Sequence, residues 1–170
     1  MKTLVVCNQK GGVGKSAVAT LLAHLLVQRG KRVLAIDLDH QGNLSKPLRL
    51  SRRPSVAEVG ASSLLTGPVP ELASEPFVLV PADGDLMFLE RQPDKHTPFA
   101  RNFRRFLAAV DGQFDVCVID THPNPDIRLI SARRRRTSRS RQSSSTRKRS
   151  TASRDWSTTS ASACARSRQC

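Results

Sequence analysis

The run Lys10-Gly11-Gly12-Val13-Gly14-Lys15-Ser16 follows the apolar segment Leu4-Val5-Val6-Cys7 after only two polar residues. Glycines at these positions let successive backbone N–H groups turn toward one point with no Cβ in the way. An apolar pattern of helical spacing opens at Lys15, which sets the positive end of a helix beneath the same point. The combination is a seat for a polyphosphate. Lys15 is spaced to reach the β and γ phosphates, and Ser16 to place its hydroxyl on Mg²⁺. The strict pattern G-x-x-x-x-G-K-[ST] is not met, because its first glycine falls on Gln9, but the physics of the loop is unchanged. A glycine-rich turn with incidental lysines is the alternative, and the flanking strand and helix argue against it. Two carboxylates, Asp37 and Asp120, each follow an apolar run directly. In an open α/β sheet the ends of the strands are where ligands bind, and a metal on a triphosphate needs hard oxygen ligands there. Either aspartate alone reads equally well as the cap of a strand; two of them together with a phosphate loop favour the metal.

These residues need a scaffold, and the rest of the chain predicts one. Residues 4–7 form a short apolar run suited to a buried parallel strand. Val18, Leu21, Leu22, Leu25 and Leu26 recur at helical spacing over residues 15–29, and Gly30 stops the helix. A second strand at 33–36 ends in Asp37, so strand, loop, helix and strand make a βαβ unit. Residues 41–75 are interrupted by Pro47, Pro54, Pro68 and Pro70, with room for one short helix over 56–65. A third strand is predicted at 77–80, closed by Pro81. Phe99, Phe103, Phe106, Leu107 and Val110 give an amphipathic helix with Arg101, Arg104 and Arg105 on its wet side. A fourth strand at 114–119 ends in Asp120, and it is expected beside the first at the centre of the sheet.

The chain has 170 residues, 28 Lys plus Arg and 14 Asp plus Glu, for a formal charge of +14. Residues 131–170 carry 12 of the basic side chains and 1 of the acidic ones, so the excess charge belongs to the last quarter. That segment has no Val, Leu, Ile, Met or Phe, and Trp156 is its only large apolar side chain. Ordering backbone costs roughly 1–2 kcal/mol per residue, with little apolar area here to offset it, so a disordered basic tail is expected. The organisation read from this is a domain over 1–130 and a tail over 131–170. No run approaches the roughly 20 apolar residues of a membrane span. The N-terminal run meets Asn8 and Gln9 instead of a small-residue cleavage site, which reads as mature cytoplasmic sequence. Cys7 and Cys117 are expected inside buried strands as small hydrophobes. With Cys164 and Cys170 they show no metal-ligand spacing. Arg133 to Arg136 and Arg147-Lys148-Arg149 are expected to bind nucleic acid only nonspecifically and with steep salt dependence.

Three blocks carry a family resemblance: the loop from Lys10 to Ser16, Asp37-Leu38-Asp39-His40-Gln41-Gly42-Asn43, and Phe114-Asp115-Val116-Cys117-Val118-Ile119-Asp120-Thr121. Together they resemble the ParA/MinD/Soj-type partition ATPases, the deviant Walker A branch of P-loop proteins, over about residues 1–130. The resemblance implies an α/β fold with a mostly parallel sheet and flanking helices, and Mg²⁺-dependent ATP binding and hydrolysis coupled to dimerisation. By that resemblance Lys10, Gly11, Gly12, Val13, Gly14, Lys15, Ser16 and Ala17 hold the nucleotide. Lys10 reaches the partner subunit's ATP and Lys15 stabilises phosphoryl charge. Ser16, Asp37 and Asp120 hold the metal, and Asp39 positions the attacking water. Implied partners are a second copy of the chain, nonspecific DNA and a centromere-binding partition protein.

The sequence departs from that pattern at two histidines. His122 stands in an Asp-Thr-x-Pro segment where the family has proline, and His40 stands where proline is common in the second block; each alone reads as incidental. It departs again after Ile130, where the expected helices and strands give way to the Arg/Ser run. This resembles out-of-frame translation, with a genuine short paralogue as the other explanation. The C-terminal part of the fold is therefore expected to be missing, and the ATPase of this chain weak or absent. Nonenzymatic nucleic-acid binding through the tail, or a decayed fragment, are the competing functions.

Overall fold

The computed structural model describes residues 1–7 and 14–122. The expectations for loop residues 10–13, for the helix start at 124–132, and for the basic tail with Trp156, Cys164 and Cys170 lie outside the described residues. Within them the chain forms β1 (Lys2–Val6), α1 (Lys15–Gln28), β2 (Val33–Asp37), α2 (Ser45–Ser51), β3 (Ser55–Val56), α3 (Ser63–Thr66), β4 (Phe77–Val80), α4 (Asp85–Glu90), a single 3₁₀ turn at Pro93–Lys95, α5 (His96–Ala109) and β5 (Val116–Asp120). No described helix is long and apolar enough to cross a membrane.

The strands make one five-stranded sheet in the order β1-β5-β2-β4-β3, with every pairing parallel. Alternation along the strands sorts side chains onto two faces. Leu34, Ile36, Val78, Val80, Cys117 and Ile119 meet Phe99, Phe103 and Phe106 of α5 and Leu64 of α3 on one side. Val33, Ala35, Leu79, Val116 and Val118 meet Ala19 and Ala23 of α1 and Leu48 of α2 on the other. This period of two is what parallel strands covered by helices on both faces require.

The first and last strands do lie side by side, as the sequence suggests, but not at the centre. β1 is an edge strand among the described residues, and β5 sits between it and β2. Its position shows in its burial: Leu4 remains 38% exposed, whereas β2 and β5 are buried throughout. Cys7 is a further correction. It lies just past the end of β1 and is exposed, while Cys117 is buried as expected; burial pushes the Cys117 thiol well above its ordinary pKa.

Helix α1 begins where expected and stops at Gly30, whose φ of 70° suits glycine. The N–H groups of Gly30 and Lys31 cap the helix by bonding Val27 and Leu26 carbonyls. Its packing face differs from the expected stripe. Ala19 and Ala23 are fully buried against the sheet, and Val18, Leu21 and Leu25 point outward at 55%, 70% and 44% exposure. Small residues at the contact let the helix settle close over the sheet. The proline-interrupted stretch contains more structure than the single helix predicted over 56–65. Pro47 falls in the first turn of α2, where the missing N–H has no helical partner to lose. Strand β3 and helix α3 are too short to leave a periodic signal.

Replacing Ala23 by Leu in this contact is expected to destabilise the fold by about 1–3 kcal/mol through overpacking. Leu21→Gln should change stability by less than about 0.5 kcal/mol. Urea unfolding followed by circular dichroism measures both.

Candidate functional site

Parallel pairing puts the carboxyl ends of β1, β5 and β2 on one edge of the sheet. Val6, Asp120 and Asp37 stand in one row there, since Val6 pairs with Asp120 and Asp120 with Asp37. The backbones of neighbouring strands are about 4.8 Å apart, so the two aspartates are forced together by register alone. Gly14 and α1 enter the same edge. Gly14 has a φ of 82°, and its carbonyl accepts the first helical hydrogen bond, from Val18, at 2.9 Å. Lys15 and Ser16 then open the helix and act electrostatically on Asp120.

The two strand-end carboxylates differ in what they bind. Asp37 is fully buried, and the loop that follows β2 wraps around it. Its Oδ2 accepts hydrogen bonds from the Leu44 N–H at 3.1 Å, the Ser45 N–H at 2.8 Å and the Ser45 hydroxyl at 2.7 Å. Its Oδ1 accepts one from the Asp39 N–H at 3.1 Å. Asp37 therefore anchors both the loop and the start of α2, leaving Oδ1 as the less occupied oxygen. Burial raises its pKa, with the Ser45 bonds opposing the rise.

Asp120 is also fully buried, and no well-aligned hydrogen bond reaches either of its oxygens among the described residues, although the Ser16 hydroxyl lies near enough to act on it. The Ser16 hydroxyl and the Lys15 charge draw its pKa down, but burial outweighs them, and Asp37 and Asp39 add repulsion, so it stands at about 6. A buried carboxylate short of hydrogen bonds costs free energy that a cation or a metal-bound water would recover. The donor set of Ser16, Asp120 and the less occupied oxygen of Asp37 is all hard oxygen, which fits Mg²⁺.

Asp39 lies on the same edge and is 4% exposed. Its Oδ1 accepts a hydrogen bond from the Gln41 N–H at 3.0 Å, and its carbonyl accepts one from Gly42 at 2.9 Å, so a tight turn fixes its carboxylate. Of the residues singled out in the sequence, Gly14, Lys15, Ser16, Asp37, Asp39 and Asp120 thus gather at one end of the sheet. Ala17 is exposed on the first turn of α1, and residues 10–13 are not among those described. Ser45 is the functional neighbour that the sequence did not reveal. Its hydroxyl bonds Asp37 and accepts the Ala82 N–H at 3.0 Å, linking β2, α2 and the end of β4. Nothing in its spacing distinguishes it from the other serines.

The chain matches the AAA-domain family model AAA_31 over residues 1–133. It is 37% identical over 139 residues to Protein IncC of Escherichia coli, an alignment covering 78% of this chain and 37% of that protein. It is 36% identical over 129 residues to the chromosome-partitioning ATPase Soj of Treponema pallidum, covering 72% of this chain and 49% of Soj. Among solved structures, Mycobacterium smegmatis cobyrinic acid a,c-diamide synthase with bound ADP and magnesium superposes with a TM-score of 0.63 at 31% identity, covering 78% of this chain and 55% of that one. The chain spans about half or less of the curated relatives it matches.

Two measurements follow from the geometry. The folded chain holds the Asp120 proton more tightly than the unfolded chain, because about 6 lies above the ordinary 3.8. Its stabilising contribution is therefore full below the unfolded pKa and is lost as pH rises through 6, a change of at most about 3 kcal/mol. Asp120→Asn should flatten that part of the pH–stability curve, matching the parent near pH ~4 and exceeding it near pH ~7.5 in thermal melts. Ser45→Ala should cost about 1–3 kcal/mol in chemical denaturation, since it removes one bond to Asp37 and strands the Ala82 N–H.

Proposed function

The chain belongs to the AAA-domain family, and we propose that it binds ATP with Mg²⁺ at the carboxyl edge of its sheet and hydrolyses it in the manner of a partition ATPase. The observation that supports this best is the buried Asp120 carboxylate, under-supplied with hydrogen bonds and set beside Ser16 and Lys15. Relatives named as a chromosome-partitioning ATPase and as a structure with bound ADP and magnesium support the same reading.

In this proposal the loop residues Lys10, Gly11, Gly12, Val13 and Gly14, with Lys15, Ser16 and Ala17, hold the phosphates through backbone N–H groups and the start of α1. Lys15 stabilises negative charge on the phosphoryl oxygens during transfer. Ser16 and Asp120 would hold the metal, with Asp37 contributing from its less occupied oxygen. Mg²⁺ held there would supply positive charge against the negative charge that develops on the phosphate oxygens. Asp39, fixed by its turn, orients the attacking water. Lys10 reaches the nucleotide of a second copy of the chain, so that turnover depends on dimerisation and the nucleotide shifts the monomer–dimer balance. Nonspecific DNA and a centromere-binding partition protein are the proposed macromolecular partners.

Equilibrium binding of labelled ATP and steady-state phosphate release test the proposal. Lys15→Ala is expected to abolish nucleotide binding, and Lys10→Ala to retain part of it while losing the concentration-dependent component of turnover. Tight ATP binding by Lys15→Ala would overturn the assignment.

A further inference from the structure

His40 and His122 come from different strand ends, His40 three residues after β2 closes and His122 two residues after β5 closes. The fold stacks their rings, with centroids 5.6 Å apart and planes 27° from parallel. One ligand atom each from Asp39, His40 and His122 lies within 4.8 Å of the others. Glu90, the last residue of α4, brings its Oε1 to 3.4 Å from His40 Nδ1, and Asp39 Oδ1 is 3.9 Å from the same nitrogen. We propose that Asp39, His40 and His122 form a transition-metal site, with Glu90 as the carboxylate that orients His40 or completes the ligand set.

The chemistry of the donors selects the metal. Two imidazoles and a carboxylate suit Zn²⁺, Co²⁺ or Ni²⁺, whereas Mg²⁺ prefers oxygen alone. Ligand bonds of about 2.0–2.2 Å place tetrahedral donors roughly 3.3 Å apart, so separations of up to 4.8 Å close when side-chain rotation moves the donor atoms together by up to about 1.5 Å. The backbone that carries Asp39 is already fixed. Asp39 is held by hydrogen bonds to Asp37 and from Gln41, and Leu38 next to it is tied to the Asp120 carbonyl at 2.9 Å. His40 and His122 are partly buried, which limits competition from water while leaving a path for the ion. Either histidine alone carries no such meaning in the sequence; their convergence does.

Asp39 also serves the nucleotide edge, so the test is run without nucleotide to isolate the metal site. Co²⁺ is titrated into the full chain and followed by visible absorption, and diamagnetic Zn²⁺ by imidazole resonances in NMR. One equivalent of Co²⁺ is expected to bind, with His40→Asn and His122→Asn each weakening it by about tenfold or more. His96→Asn and Cys7→Ser are expected to leave it unchanged. In the unaltered chain Zn²⁺ should shift the His40 and His122 resonances and spare His24 and His96, a readout independent of how the variants fold. Equal affinity in parent and histidine variants, absence of one-equivalent binding, or Zn²⁺ shifts spread over all four histidines would each overturn the proposal.

Discussion

Parallel register brings two acidic side chains to the same row of one sheet edge, and the chain must manage that charge. Asp37 and Asp120 end adjacent strands and are both fully buried. Like charges this close, in a setting that excludes water, raise the cost of ionising either one. The structure answers the problem differently at each. At Asp37 the answer is covalently near: three donors from Leu44 and Ser45 fold back on one oxygen, and the loop after β2 takes its shape from that bonding. At Asp120 the described residues supply little beyond the nearby Ser16 hydroxyl, and its pKa rises to about 6.

That asymmetry organises the rest of the edge. Because Asp37 fixes the loop, Asp39 and His40 are delivered to defined positions beside the strand ends. Because Asp120 keeps its oxygens largely unspent, Ser16 and Lys15 at the start of α1 face a carboxylate with capacity for a cation. The two helical layers serve this arrangement. Ala19 and Ala23 let α1 sit close enough to bring its first turn over β5, while the aromatic side of α5 anchors the opposite face.

Much of this is legible in the sequence, and the exceptions have physical causes. Strand ends at Asp37 and Asp120 are visible because buried parallel strands leave continuous apolar runs, and α5 is visible because its phenylalanines repeat at helical spacing. Helix α1 is visible as a helix, but its buried face is not. It is apolar nearly all round, and period alone cannot tell Ala19 and Ala23 from Val18 and Leu21. The edge position of β1 depends on which strands pair, and strand order has no local signature. Helix α2 was hidden by Pro47, which a first turn tolerates. Ser45, Glu90, His40 and His122 gain their roles only from contacts between segments that are distant in the chain.

In the proposed function the buried Asp120 carboxylate receives a cation together with nucleotide. Carboxyl ¹³C NMR, with Asp120 assigned by its Asn variant, reads this directly. Alone, the chain should show an Asp120 midpoint near the value of about 6 that burial imposes. With saturating Mg²⁺ and ADP the carboxylate should stay ionised to well below that pH, because the bound cation favours the charged form. An Asp120 midpoint that is the same with and without Mg²⁺–ADP, under conditions where the nucleotide is bound, would contradict the account.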